Sequence, residues 1–301
     1  MDWPRARAVL LVALTLVNLL LAYSIWGPSG VFPELSGTPH QQQVEQVRSV
    51  LLDRGFELTA QVPRTPAPMP FLRVEYRPTL EAVKRQYELP LREVSAFPAT
   101  SSPLAFSGSA DELKPSMDPK SQVVTYRPAG QGRAGREFST HNLADLEKEV
   151  QRYLRGEGLL PQGAQLSAAY VRQGTGVTVV EYVPTYEGVR VFSGYVRAEI
   201  SARGVETVTQ FWVQPLGFKD TGTKPVRPAS EALLRLIGHL ERTGSPRTDI
   251  AEIQLGYYAG RALSTQESGF INSWDTVPVW RIRLGTGDIY YINAFNGELE
   301  P

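Results

Sequence analysis

Residues Ala6 to Ile25 contain the run AVLLVALTLVNLLLAYSI behind Arg5 and Arg7. A nearly unbroken apolar stretch of about 18 to 20 residues is long enough to cross a hydrocarbon core of roughly 30 Å as a helix. Arg5 and Arg7 lie on its N-terminal side, and the positive-inside rule then keeps the N-terminus in the cytoplasm and puts everything after Trp26 outside. Tyr23 and Trp26 fall at the outer headgroup level, where amphipathic rings are enriched. A cleaved signal peptide also has a basic start and an apolar middle. Its apolar region, however, is about 7 to 15 residues long and ends in a small-x-small site. Tyr23, Ser24, Ile25, Trp26, Gly27 and Pro28 make a poor site of that kind, so an uncleaved single-pass anchor over residues 6–26 is expected. Asn18 breaks the run near its middle. A buried amide there is served by a partner helix, at about 0.6 to 2 kcal/mol per interhelical hydrogen bond, or by its own helix or water. Asn18 is therefore the candidate transmembrane contact.

Beyond the span, the 301-residue chain leaves enough length for two ordinary domains with cores of their own. Its 42% hydrophobic and 21% charged residues describe a folded chain. Thirty-one basic and 31 acidic residues balance, so bulk charge recruits neither nucleic acid nor an anionic surface. Cysteine is absent, which excludes disulfides, thiol nucleophiles and thiolate metal sites.

Residues 27–39 (GPSGVFPELSGTP from Gly27) read as a linker rich in Gly, Pro and Ser. Val44, Val47, Val50 and Leu51 recur at helical spacing, which predicts a helix over 41–54 stopped at Gly55. Strands are expected over 56–62 and 71–77, with the Pro-rich RTPAPMP between them. A short helix over 79–87 and strands at 94–97, 104–107 and 122–126 complete a first domain over 40–129. The GQGRAGRE segment from Gly130 marks the boundary. It lacks the phosphate-loop pattern and its strand-to-helix frame.

The second domain, 137–301, is expected to repeat one plan. Asn142 caps a helix to about Arg155, with Leu143, Leu146, Val150, Tyr153 and Leu154 on one face. Strands follow over 166–172, 177–184, 189–201 and 205–213, with a hairpin at Tyr186, Glu187 and Gly188. Pro228 then opens a helix through Leu233, Leu236, Ile237 and Leu240 to Gly244, followed by strands over 250–258, 277–284 and 289–294. Helices interleaved with antiparallel strands make an α+β fold, each helix lying across one sheet face.

His40, His141 and His239 form no HExxH or HxxxH pattern, and no GxSxG elbow accompanies them. Gly174-Thr175-Gly176 leads into a strand, so it reads as a turn and not as a dinucleotide fingerprint. The expectation is a protein that is not an enzyme and has no cofactor and no metal. The second sheet is rich in aromatic residues. Phe211, Trp212, Tyr257 and Trp280 are the candidates for a protein-docking surface, because aromatics are enriched at interfaces.

Several of these residues together resemble a known family. The opening Met1-Asp2-Trp3 with Arg5 and Arg7, the apolar span with Asn18-Leu19 in its second half, and the short linker to a helix resemble the YycI family. The ending from Tyr290 to Glu298 (YYINAFNGE) is similar to the final strand and turn of PepSY-type domains and of YycI itself. The likeness covers the whole chain in layout, and its two ends carry the recognisable wording. It implies a membrane-anchored accessory protein whose extracytoplasmic part pairs with a YycH-like protein. Together they would modulate the sensor histidine kinase of the Walk (YycG/YycF) two-component system, which controls cell-wall metabolism in low-GC Gram-positive bacteria. In such a protein Asn18 would be a contact between transmembrane helices. PepSY-like domains also imply an alternative: an extracytoplasmic binding or inhibitor module acting on a secreted peptidase or cell-wall hydrolase.

Overall fold

The computed structural model describes residues 14–15, 39–64, 66–77, 113–117, 123–128, 142–202, 204–259 and 273–301. The chain divides into two units, Met1–Gln42 and Gln43–Pro301. In the first, Leu14 and Thr15 are helical and exposed. The remainder of the expected span, Asn18 included, lies outside the described residues. Among the described residues no helix is long and apolar enough to cross a membrane.

The second unit has α+β architecture. Its helices are α1 (Pro39–Asp53, entering from the first unit), α2 (Leu143–Gly156) and α3 (Ala229–Thr243). The sequence signals for two of them hold in detail. The side chain of Asn142 accepts the Ala144 N–H at the start of α2, satisfying one of the orphan donors of a first turn. At the end of α3, Gly244 adopts a left-handed φ of 66°, which glycine takes without a Cβ penalty.

The strands form two sheets. The six-stranded sheet runs β3 (Leu113–Met117), β4 (Val124–Pro128), β10 (Gly204–Phe211), β9 (Tyr195–Ser201), β6 (Thr178–Val183) and β5 (Gln165–Val171), and is antiparallel throughout. The nine-stranded sheet runs β11 (Val213–Phe218), β2 (Leu72–Tyr76), β13 (Ser273–Leu284), β12 (Asp249–Tyr258), β8 (Val189–Val191) and β7 (Thr185–Tyr186). In addition, β1 (Glu57–Leu58) pairs with β12 and β14 (Ile289–Asn293) pairs with β13, while β15 (Leu299–Glu300) pairs with β14. The long β13 binds β2 through its first residues and β12 and β14 through the rest.

Most of each core lies on the sheet face turned away from the other sheet, while Phe211 of β10, with Tyr195 of β9 beside it, joins the core of the nine-stranded sheet. Leu146, Val150 and Leu154 of α2 cover Val180, Tyr182, Val196, Ala198, Ile200 and Val208. Leu233, Leu236, Ile237 and Leu240 of α3, with Val47 and Leu51 of α1, cover Trp280, Ile282 and Ile292. Burying such stripes is what holds short helices in place, since isolated helices of this length are marginal in water. The order is helix, six-stranded sheet, nine-stranded sheet, helices.

Several expectations differ from this arrangement, among them the single strand over 205–213, which ends as β10 at Phe211 and resumes after Trp212 as β11 in the other sheet. The strands expected to build a first domain over 40–129 make no sheet of their own among the described residues: β1 and β2 enter the nine-stranded sheet, and β3 and β4 enter the six-stranded one. The single strand expected over 189–201 is two strands, β8 and β9, which belong to different sheets and break at Phe192–Gly194. Leu143, placed on the buried face of α2, is exposed. The helix expected over 79–87, the strands at 94–97 and 104–107, and the GQGRAGRE boundary lie outside the described residues.

Candidate functional site

The four aromatic candidates are buried, and each has a partner that explains why. Phe211 stacks on Tyr76 with ring centroids 5.0 Å apart. Tyr257 donates its phenol hydrogen to the Pro70 carbonyl at 3.1 Å. Trp280 donates its indole N–H to the Arg227 carbonyl at 2.8 Å. Trp212 packs in the α2-covered core, at the point where the chain passes from β10 to β11. The polar tips of Tyr257 and Trp280 are satisfied internally, as buried Tyr and Trp require. They are therefore core and present no docking surface. His239 also packs against a neighbour, its ring 6.2 Å from that of Tyr290.

The unusual chemistry lies between the sheets. Strand alternation sends Val180 and Tyr182 of β6 toward α2, which turns Val179, Glu181 and Val183 toward the other sheet. On β13, Trp280 and Ile282 face α3, and Arg281 and Arg283 face Glu181. Arg281 donates to one Glu181 carboxylate oxygen at 2.6 Å, and Arg197 of β9 donates to the other at 2.6 Å and 3.1 Å. Arg281 and Glu181 are 1% and 2% exposed. Glu252 of β12 extends the layer, accepting from Arg283 at 2.9 Å and lying 3.9 Å from Arg281. Gln254 contacts Glu252 and donates to the Ser167 carbonyl of β5 at 3.2 Å, a second link between the sheets. Ring faces close the layer: Arg281 lies over Phe192 at 5.2 Å, and Arg283 over Tyr170 at 4.5 Å.

The electrostatics favour holding over proton transfer. Burial by itself would raise the Glu181 carboxyl pKa, but the Arg281 and Arg197 guanidiniums outweigh it and hold the group below the usual carboxylate range. Burial acts to discharge Arg197 and Arg281, and Glu181 outweighs it in both cases, so both stay cationic. Burial is also the main reason that the Tyr291 phenol is pushed up, well past its ordinary value. Around neutral pH Glu181 stays ionised and Arg197, Arg281 and Tyr291 stay protonated, so the arrangement is suited to clamping two surfaces together. Among the described residues no group of three or more His, Cys, Asp or Glu is placed to hold a metal.

Sequence reasoning passed over all five charged residues of this layer. The available signal was a lone charge inside an otherwise apolar strand: Glu181 in TVVEYV, and Arg281 and Arg283 in VPVWRIRL. Such a charge is almost never buried without a partner.

No protein-family model matches the sequence, and no curated protein matches it. Among solved structures, the chain is similar to an uncharacterized protein from Eubacterium rectale, at 10% identity and a TM-score of 0.42, over 82% of this chain and 89% of that one.

Proposed function

We propose that this protein is a membrane-anchored accessory regulator, non-enzymatic, that binds a YycH-like partner and modulates a sensor histidine kinase controlling cell-wall metabolism. The observation that carries the reading is a repeated unit on a chain that opens with an apolar span. One helix lies over antiparallel strands in α2 with β5, β6, β9 and β10, and again in α3 with β12, β13 and β14. The second copy closes with the strand and turn that resemble PepSY-type domains: in that turn the Asn293 side chain accepts the Phe295 N–H, and Gly297 has a φ of 78°. In this reading residues 6–26 cross the membrane once and the sheets are extracytoplasmic. To bias a kinase between two states, the protein must bind them with different affinity.

Co-purification of the full-length protein from membranes in mild detergent, beside an Asn18→Leu variant, tests this. The expected result is a sensor kinase and a YycH-like protein, with recovery weakened by the substitution. Recovery of neither from the unaltered protein overturns the proposal.

A second reading, a binding or inhibitor module acting on a secreted peptidase or cell-wall hydrolase, rests on one feature. Leu216 and Phe218 of β11, at the end of the nine-stranded sheet path, are 49% and 38% exposed. A hydrolase captured by the fragment from Pro39 onward, and lost on Phe218→Ser, would favour it.

A further inference from the structure

The outermost strands of a sheet carry N–H and C=O groups with no ladder partner, and chains blunt such edges with proline, bulges, charge or shortness. Most edges of this fold are treated in that way. In the nine-stranded sheet, β11 carries Pro215 and a register shift between Pro215 and Gly217, and β1, β7 and β15 are two residues each. In the six-stranded sheet, β3 has Pro115 at its centre, which has no N–H to offer. The exception is β5 at the opposite edge. Its seven residues, QLSAAYV, include no proline and no charge.

The register of β5 on β6 fixes which of its backbone groups point outward. Arg172 donates its N–H to the Val177 carbonyl at 2.8 Å, so Tyr170 and Ala168, opposite Val179 and Glu181, are the next inward-bonding positions. Antiparallel ladders alternate, which leaves Ala169 and Val171 with N–H and C=O turned away from β6. Among the described residues nothing bonds to those groups. The bulge at Ser167 ends the free row, and the Ser167 carbonyl already accepts from Gln254 of the other sheet at 3.2 Å. Val171 is 57% exposed.

A free row of this form is self-complementary. Turned about a two-fold axis at Tyr170, Ala169 of one copy meets Val171 of the other, and each such pair exchanges both of its N–H···O bonds. No charge on β5 would meet its own copy, and the adjoining Arg172 is paired with Glu199 of its own sheet at 2.7 Å. A strand of another protein could use the same groups, but a second copy supplies the matching spacing and the uncharged row by construction.

We propose that two copies of this chain associate through β5, antiparallel about an axis at Tyr170, so that their six-stranded sheets become one continuous sheet. The inference rests on the sheet edge and is independent of the regulator reading. A contact this short is at the weak end of interfaces, so copies exchange.

Sedimentation of the full-length protein in mild detergent over a concentration series is expected to show single copies converting to pairs. Val171→Lys puts a charge on the free row at an exposed position. It is expected to abolish the pairs and leave the thermal melt unchanged. Single copies of the unaltered protein at every concentration overturn the proposal and leave the edge for a strand of another protein. Pairs that persist in Val171→Lys overturn it too, and place the contact in the apolar span. The chain contains no cysteine, so a second test reads the register without relying on the folding of that variant. Ala169→Cys and Val171→Cys proteins, mixed and mildly oxidised, are expected to form the mixed disulfide roughly tenfold faster than Val171→Cys forms one with itself, because only the mixed pair lies directly opposite. Equal rates overturn the axis at Tyr170, and the absence of any cross-link overturns pairing through β5.

Discussion

Arg281 of β13 and Glu181 of β6, one hundred residues apart in the chain, meet across the sheet interface at 2.6 Å. Each is flanked along its strand by large hydrophobic residues, Val180 and Tyr182 beside Glu181 and Trp280 and Ile282 beside Arg281. The pair draws in Arg197 from the same sheet as Glu181 and, through Glu252, Arg283 from the opposite one. A buried ion pair is poor proof of stability in itself, because desolvating both charges offsets the attraction between them.

That balance gives the first prediction. Arg281→Met removes one partner and leaves Glu181 buried with Arg197 alone, at an expected cost of about 3 kcal/mol. Replacing Glu181, Arg197 and Arg281 together by Leu, Met and Met is expected to be close to neutral or stabilising. Urea denaturation of the three proteins checks both, and a triple variant weaker than Arg281→Met contradicts the account.

The acid limb follows from Glu181. Its folded pKa lies below its ordinary value of 4.5, so its contribution is present above 4.5 and declines as pH falls through the folded value. Unfolding measured down the acid range is expected to show a progressive loss of stability below that pH. Glu181→Gln, where it folds, flattens this limb.

The alkaline limb has the opposite sign. Burial first, with Glu147 adding to it against Arg155, pushes the Tyr182 phenol up to about 12, and burial does the same for Tyr76. A raised pKa means stability present below the ordinary value of 10 and lost as pH rises toward 12. Tyr182→Phe should reduce the alkaline loss, monitored by phenolate absorbance, and cost about 1 kcal/mol at neutral pH through the missing bond to the Glu147 carbonyl.

Trp280→Ala should act on the fold. It removes a fully buried ring that packs under α3 and bonds to the Arg227 carbonyl, at about 3 to 5 kcal/mol. A thermal melt is expected to drop steeply. A variant that melts normally yet loses a binding partner would restore the docking assignment for this residue.

Gly256→Ala probes the close pairing of β12 with β8. The added Cβ would lie 2.6 Å from the Arg190 carbonyl oxygen and 2.4 Å from the Phe192 ring. Backbone cannot yield as a flexible side chain can, so a cost of about 1 to 3 kcal/mol is expected. Equilibrium unfolding should register it, and a change within error would show that the strands can separate freely there.

What the sequence determined by itself is local. Helices α2 and α3 were legible because caps and apolar spacing are encoded within a dozen residues: Asn142 before one, Pro228 and Gly244 around the other. The hairpin at Glu187-Gly188 was legible too, since both residues take positive φ, at 47° and 79°, as a tight two-residue turn demands. Tertiary structure decided which strand joins which sheet. Val189 to Ser201 alternates smoothly enough to read as one strand, yet it changes sheets at Gly194, where contact with Val213 leaves no room for a Cβ. The aromatics were misread for a related reason: composition records how many rings a chain has, whereas burial depends on neighbours as distant as Tyr76 from Phe211. The ionic layer was out of reach altogether. A charge in an apolar strand signals only that a partner must exist, and the sheet-on-sheet packing alone brings Arg281 to Glu181.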